Sequence, residues 1–197
     1  MRWHVNLQDD LSRIDRFVTD SSDTIPAALT ALELMTIALE DRRFFGHFGV
    51  DVRSVVRECL KAVTFRKHGG ASTIDMQFVR TATGYRAHTW RRKLYEAFLA
   101  VLIQFRHSKL QILRSYLACA FFGSGLTGAE TAAQKMFRKN ASLLGLKEAS
   151  VVGAMLACPR PLNGSPNWDL RVRRRAAYAI EIYNLSKQRL NGSRKST

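Results

Sequence analysis

Between residues 90 and 106, Trp90, Leu94, Phe98, Leu102 and Phe105 recur at helical intervals, while Arg92, Lys93 and Glu96 fall on another face. A period near that of the α-helix cannot be met by a strand, so this stretch requires a helix. Residues 51–65 repeat the pattern, with Val52, Val55, Val56, Cys59, Leu60 and Val63 on one side and Arg53, Arg57 and Lys61 every fourth residue on another. A third apolar run, Leu32, Leu34, Met35, Ile37, Ala38 and Leu39, is again helical. No convincing strand run is present, and the expected fold is mainly α. At 197 residues, 46% of them hydrophobic, the chain is long enough for one core.

The longest apolar candidate, residues 98–103, is a core helix at most, since crossing a bilayer takes roughly 18 to 20 such residues. The first ten residues contain no apolar segment of the kind a signal peptide needs. Residues 11–18 read as a short polar helix ending in a turn-like run at 19–23, and Pro26 suits the first turn of the helix after it. Cys59, Cys119 and Cys158 are odd in number and lack metal-ligand spacing; Cys59 and Cys119 lie in apolar helical contexts and read as buried thiols. A formal net charge of +15 calls for an anionic partner: nucleic acid, a negatively charged membrane surface or a phosphorylated substrate.

The apolar run at 32–39 delivers Glu40 and Asp41 at its end, and a Gly-bracketed turn carrying His47 leads on to Asp51. Acidic groups, an imidazole and the arginines Arg42 and Arg43 thus meet where a helix stops. A solvated charge cluster at an ordinary helix end fits this spacing as well as an active site does. The pattern E-D-x-x-F-x-x-H-x-G-x-D, however, resembles the first signature of the peptidoglycan glycosyltransferases. That family comprises the lysozyme-like domain of bifunctional penicillin-binding proteins and the monofunctional transglycosylases. The resemblance implies that Glu40 is the general base, with Asp41, Phe44 and His47 shaping the site around it.

Further signatures follow in order. Gly70, Ala71, Ser72, Thr73, Ile74 and Gln77 match the family's second motif, with Arg80 in place of its lysine, while Asp75, Met76 and Thr81 depart from it. From the residues alone, Ser72 and Asp75 have the S-x-x-D form of a helix N-cap. A carboxylate at Asp75 would repel a diphosphate unless it is otherwise engaged. Arg92, Lys93 and Glu96 match the third motif, R-K-x-x-E; by carry-over Glu96 is the second active-site glutamate. The plain alternative is an exposed i,i+4 ion pair between Arg92 and Glu96, worth a few tenths of a kcal/mol. The apolar neighbours of Glu96 (Leu99, Ala100 and Ile103) should make its carboxyl harder to ionise than the reference value of about 4.3. Residues 109–117 resemble the fourth motif, with Arg114 for its Glu and Ala118 for its Asn. The stretches 121–139, 146–149 and 157–159 continue the family's order, with Gly164 for an expected proline. A basic cluster, Arg171, Arg173, Arg174 and Arg175, opens the last helix.

The resemblance spans about residues 26–183. It implies a lysozyme-like glycosyltransferase domain at 26–185, with a small mobile, membrane-facing lobe at about 52–80, an N-terminal arm at 1–25 and a polar, frayed tail at 186–197. The implied reaction polymerises lipid II into glycan strands with inversion and release of undecaprenyl diphosphate. Substrate-binding positions would be Asp41, Phe44, His47, Ser72, Thr73, Gln77, Arg80, Arg92 and Lys93. No cofactor is required, and a Mg or Mn ion would bridge the substrate diphosphate rather than occupy a dedicated protein site. The implied partners are lipid II, the growing glycan strand, an anionic membrane surface and cell-wall synthesis proteins, with no nucleic acid. The implied location is the extracytoplasmic face of the bacterial inner membrane, with the chain attached peripherally. Alternatives are a degenerate homologue that binds lipid II or cell-wall partners without turnover, a basic nucleic-acid-binding domain and a glycan hydrolase.

Overall fold

The computed structural model describes residues 6–20, 28–63, 70–85 and 89–193. The fold is mainly α, as the periodicity requires: α1 (Leu7–Asp20), α2 (Ala31–Glu40), α3 (Val52–Val63), α4 (Ile74–Thr83), α5 (Trp90–Ile103), α6 (Lys109–Cys119), α7 (Ala129–Phe137), α8 (Leu146–Met155) and α9 (Pro166–Ser193). A short antiparallel hairpin, β1 (Phe121–Gly123) with β2 (Leu126–Thr127), was not legible as a strand run in the sequence. It is too short to show alternation, and its turn is made by Ser124 and Gly125, the latter with φ of 72°. No helix among the described residues is long and apolar enough to cross a membrane.

The chain forms two compact units, Met1–Ile25 with Arg43–Tyr116, and Pro26–Arg42 with Leu117–Thr197. In the first, α1 packs on α4 and α4 on α5. Ile14 of α1, Ile74, Phe78 and Val79 of α4, Leu99, Ala100 and Ile103 of α5, and Ile112 and Leu113 of α6 are all fully buried. Thr73 starts α4 by accepting a hydrogen bond from the Met76 N–H at 3.2 Å, and Gly84 ends it in the left-handed region. The N-cap is therefore Thr73 and not Ser72. The frame shifts by one because Asp75, the residue meant to complete the cap, is drawn into the interior by other partners.

The long helix α5 is laid down the opposite way from its hydrophobic stripe. Its buried face carries Arg92 and Glu96 beside Leu99, Ala100 and Ile103, whereas Trp90 (69% exposed), Leu94, Phe98 and Phe105 (75%) point to solvent. Residues 98–103 thus contribute fully buried side chains to the core only through Leu99, Ala100 and Ile103. On α3, likewise, Val52, Val55, Val56 and Leu60 are exposed. Cys59 is exposed too, which corrects its reading as a buried thiol: the apolar face it belongs to is not covered. Cys119 is partly covered, and burial pushes its thiol up to about 12.

In the second unit, α2, α8 and α9 pack against one another. A capping box starts α2: Glu33 N–H donates to the Thr30 hydroxyl, and Thr30 N–H to the Glu33 carboxylate. Helix α2 begins at Ala31, and Pro26 lies outside the described residues. Where α8 meets α2, a Cβ on Gly153 would lie 3.5 Å from that of Met35, an ordinary packing contact. Helix α9 continues through Ser193, so the polar residues 186–193, expected to fray, extend the helix.

Candidate active site

Glu40 and Asp41 belong to the second unit, and the remaining sequence-predicted site residues to the first. Glu40 is the last residue of α2, and the residue after it, Asp41, is buried and donates its N–H to the Ile37 carbonyl at 3.0 Å, closing the helix. Arg175 of α9 donates through Nη2 to Glu40 Oε1 at 2.7 Å, with the glutamate side chain 12% exposed. The neighbouring Arg42 hydrogen-bonds the Tyr178 hydroxyl and lies over its ring. Sequence reasoning noted the cluster at 171–175 but could not single out Arg175. The two partners are separated by most of the chain, and only the packing of α9 against α2 joins them.

In the first unit, the third motif is folded into the interior. Arg92 Nη1 stands 3.2 Å from Glu96 Oε1, with Glu96 only 3% exposed. This is an i,i+4 pair, but a buried one, so the reading of an exposed pair is corrected: α5 turns its charged face inward. The contact is off the line of a hydrogen bond, and Glu96 Oε1 has no hydrogen-bond donor among the described residues. Burial raises the Glu96 carboxyl above the ordinary carboxylate value, while the charges of Arg92, Arg80 and Lys93 pull the other way. The direction is the one anticipated from the apolar setting of this helix. Arg80 on α4 and Lys93 on α5 are exposed, so their charges reach Glu96 while their ends stay open to an anion.

Side chains of the second motif are themselves held by hydrogen bonds. Gln77 accepts from the Tyr116 hydroxyl at 2.6 Å, which ties its amide to α6. The Thr73 hydroxyl donates to the Gly49 carbonyl at 2.6 Å while it caps α4. Gly49 has a φ of +73°, and a Cβ there would lie 2.4 Å from the Ala100 carbonyl oxygen. The loop carrying His47 is thus held between α4 and α5 at a point where only glycine fits. Ser72 is half-buried at the entry to α4. Phe44 is fully buried, with the His47 ring edge-on at 6.4 Å and the Lys109 ammonium 4.4 Å from its centroid.

Asp75, the departure that threatened to repel a diphosphate, is fully buried and engaged. Lys109 Nζ lies 2.9 Å from its Oδ2, and Gln104 donates to Oδ1. Its charge is therefore compensated from α6 and the turn after α5. Nothing in the spacing of residues 72–81 reveals this, because both partners come from later segments.

The profile described as Transglycosylase matches residues 10–183 of the chain. The chain is similar to penicillin-binding protein 1A of Rickettsia bellii (strain RML369-C), 36% identical over 155 residues that cover 77% of this chain and 20% of that protein. It is similar to the biosynthetic peptidoglycan transglycosylase of Vibrio parahaemolyticus serotype O3:K6 (strain RIMD 2210633), 33% identical over 159 residues, 81% of this chain and 71% of that one. The protein of the same name from Shewanella frigidimarina (strain NCIMB 400) is 36% identical over 147 residues, 75% of this chain and 63% of the other. The chain thus spans about a fifth of the length of the first relative and roughly two thirds of the other two.

Proposed function

The chain belongs to the peptidoglycan glycosyltransferase family, and we propose that it polymerises lipid II, joining each disaccharide to a glycan strand with inversion and release of the polyprenyl diphosphate. The observation that carries this reading is the buried Arg92–Glu96 pair, with the exposed cations Arg80 and Lys93 acting on it, inside the stretch the family profile matches. A hydrolase acting on a neutral glycan has no use for such cations, whereas a diphosphate leaving group does.

Each step has a residue. Glu40 takes the proton from the acceptor 4-hydroxyl as it attacks, and Arg175 holds the Glu40 carboxylate in place. The departing diphosphate is neutralised by Arg80, Arg92 and Lys93, whose N–H groups suit phosphate oxygens. Because the leaving group is already anionic, no strong general acid is needed. Glu96 pairs with Arg92 and acts through its charge on Arg80 and Lys93, so it holds the cationic set beside the leaving group. Gln77, Ser72 and Thr73 present or support polar contacts, while Asp41 closes the helix that carries the base, and Phe44 and His47 shape the loop of the first unit. A Mg or Mn ion, where present, would accompany the substrate diphosphate.

Lipid II and the glycan strand are thus the substrates, and an anionic membrane surface on the extracytoplasmic side of the bacterial inner membrane is the partner surface. The uncovered apolar side chains of α3 and α5, flanked by basic residues, support that placement. The decisive experiment is polymerisation of detergent-solubilised lipid II by the parent and Glu40→Gln. The variant keeps shape and removes charge, so turnover should fall roughly 100-fold or more with the fold retained. Near-parental turnover would sink the assignment of Glu40 as base.

A further inference from the structure

Asp10, on the first turns of α1, is 2% exposed, yet its carboxylate makes no ion pair among the described residues and is held by neutral donors. Its Oδ2 accepts two neutral hydroxyls, from Tyr85 at 2.9 Å and from Tyr95 at 2.9 Å. Burying a carboxylate without an ion pair is an unfavourable way to pack a helix, since an apolar residue would do that work without desolvation. The rest of the inner face of α1, with Ile14 and Val18, is apolar and needs no such help.

The two tyrosines pack against each other, ring centroids 6.2 Å apart, and each is linked along the chain to one member of the buried pair. Tyr85 follows α4, and its backbone carbonyl faces Arg92 Nη1 at 3.5 Å, the same nitrogen that stands 3.2 Å from Glu96. Tyr95 directly precedes Glu96 on α5. A single carboxylate oxygen therefore fixes both the segment that meets the Arg92 guanidinium and the helical turn that carries Glu96. Burial and the Asp10 bond push the Tyr85 hydroxyl up to about 12 and the Tyr95 hydroxyl higher still, so both remain donors across the working range.

We propose that Asp10 is a positioning residue for the Arg92–Glu96 pair, acting through the Tyr85 and Tyr95 hydroxyls, so that α1 is a working part of the transferase site. This rests on the reading of Glu96 as an active-site group. Asp10 touches neither substrate nor reacting atoms. It sets where the Arg92 fork and the Glu96 carboxyl point, and a displaced α1 would slow the transfer without altering any of the family signatures.

The test compares parent, Asp10→Ala, Asp10→Asn, Tyr85→Phe, Tyr95→Phe and Glu96→Gln, as the full chain, in polymerisation of fluorescent lipid II. Each protein's folded fraction is measured by circular dichroism and thermal melting. Misplacing a site group lowers the chemical step, so Asp10→Ala should lose about 10-fold or more in kcat with KM within about twofold. Asp10→Asn keeps an acceptor oxygen and should stay within about threefold of the parent. The single phenylalanine variants leave one hydroxyl on the carboxylate, so they keep the test open should Asp10→Ala fail to fold; each should lose several-fold in kcat. Parental kcat in the Tyr85→Phe and Tyr95→Phe variants would overturn the proposal. So would a loss confined to KM, a loss that merely tracks the folded fraction, or an Asp10→Asn variant as impaired as Asp10→Ala. Glu96→Gln separates the two ideas: if it turns over at the parental rate, the role of Glu96 falls. If it is impaired while the Asp10 and tyrosine variants are not, only the positioning role falls.

Discussion

Asp51 owes its acidity to its neighbours. Burial alone would raise its carboxyl, but the Ser54 hydroxyl at 2.6 Å, backbone N–H donors at the start of α3 and the Arg43 guanidinium at 3.1 Å together hold it below the ordinary value. A lowered folded-state pKa means stability that is present above the unfolded pKa and lost as pH falls through the folded one. Asp51→Asn still offers a capping oxygen but no charge. It should be destabilised by about 1 kcal/mol at neutral pH, and the gap should close as the solution falls below the ordinary aspartate value of 3.8. Urea unfolding at a series of pH values measures this; a gap that persists unchanged at low pH would show that ionisation is not its source. Asp51 and Glu40 were both legible as acidic positions of one motif. Their partners differ in legibility: Ser54 lies three residues on, at capping spacing, whereas Arg175 comes from α9 and could only be found by folding.

Among the elements, α3 and α5 share one property: each shows a clear apolar stripe in sequence and leaves much of it uncovered. On α3, Val52 is 67% and Leu60 63% exposed, with Arg53 and Arg57 also exposed. Glu58 ties up part of the basic character, lying 2.9 Å from Lys61 and 3.6 Å from Arg57. Beside an anionic leaflet each remaining cation is worth about 1 kcal/mol, and the uncovered valines and leucine add insertion at the headgroup boundary. The protein should therefore bind vesicles rich in anionic lipid in a salt-sensitive way and bind neutral ones weakly. Reversing Arg57 and Lys61 to Glu leaves acidic groups at 57, 58 and 61, and should abolish sedimentation with anionic vesicles while sparing activity in detergent. If the double variant sediments as the parent does, the membrane contact lies on another element, with the Trp90, Leu94 and Phe98 face of α5 the next to test.

For the molecule as a whole, the net charge of +15 sets a field that draws anionic ligands from solution, and Arg80 and Lys93 are exposed members of it. Arg80→Ala and Lys93→Ala should each weaken lipid II binding at low ionic strength. The difference from the parent should shrink at high salt, where the screening length falls to about 3 Å near 1 M. Equal affinities for parent and variants at low salt would rule out these two cations as diphosphate ligands. Compensation within the first unit belongs to this scale as well. Lys109 offsets the Asp75 charge and Gln104 donates to it, both from segments well beyond α4, so a departure from the family pattern is absorbed without an added repulsive charge.

The sequence by itself determined the helical class, the order of the motifs and the basic character, because periodicity, short-range spacing and charge are properties of neighbouring residues. It also determined that Glu96 would sit among apolar groups, since Leu99, Ala100 and Ile103 lie on its own helix. Only the tertiary structure decided which face of α5 turns inward. A periodic stripe specifies a phase around the helix axis, not a direction, and a buried ion pair with apolar flanks can outweigh a stripe of aromatics once other helices supply the surroundings. Tertiary structure likewise selected Thr73 over Ser72 as the cap, left Cys59 in the open, and joined Arg175 to Glu40 and Tyr85 and Tyr95 to Asp10. Those pairings depend on how distant segments pack, and local spacing carries no record of that.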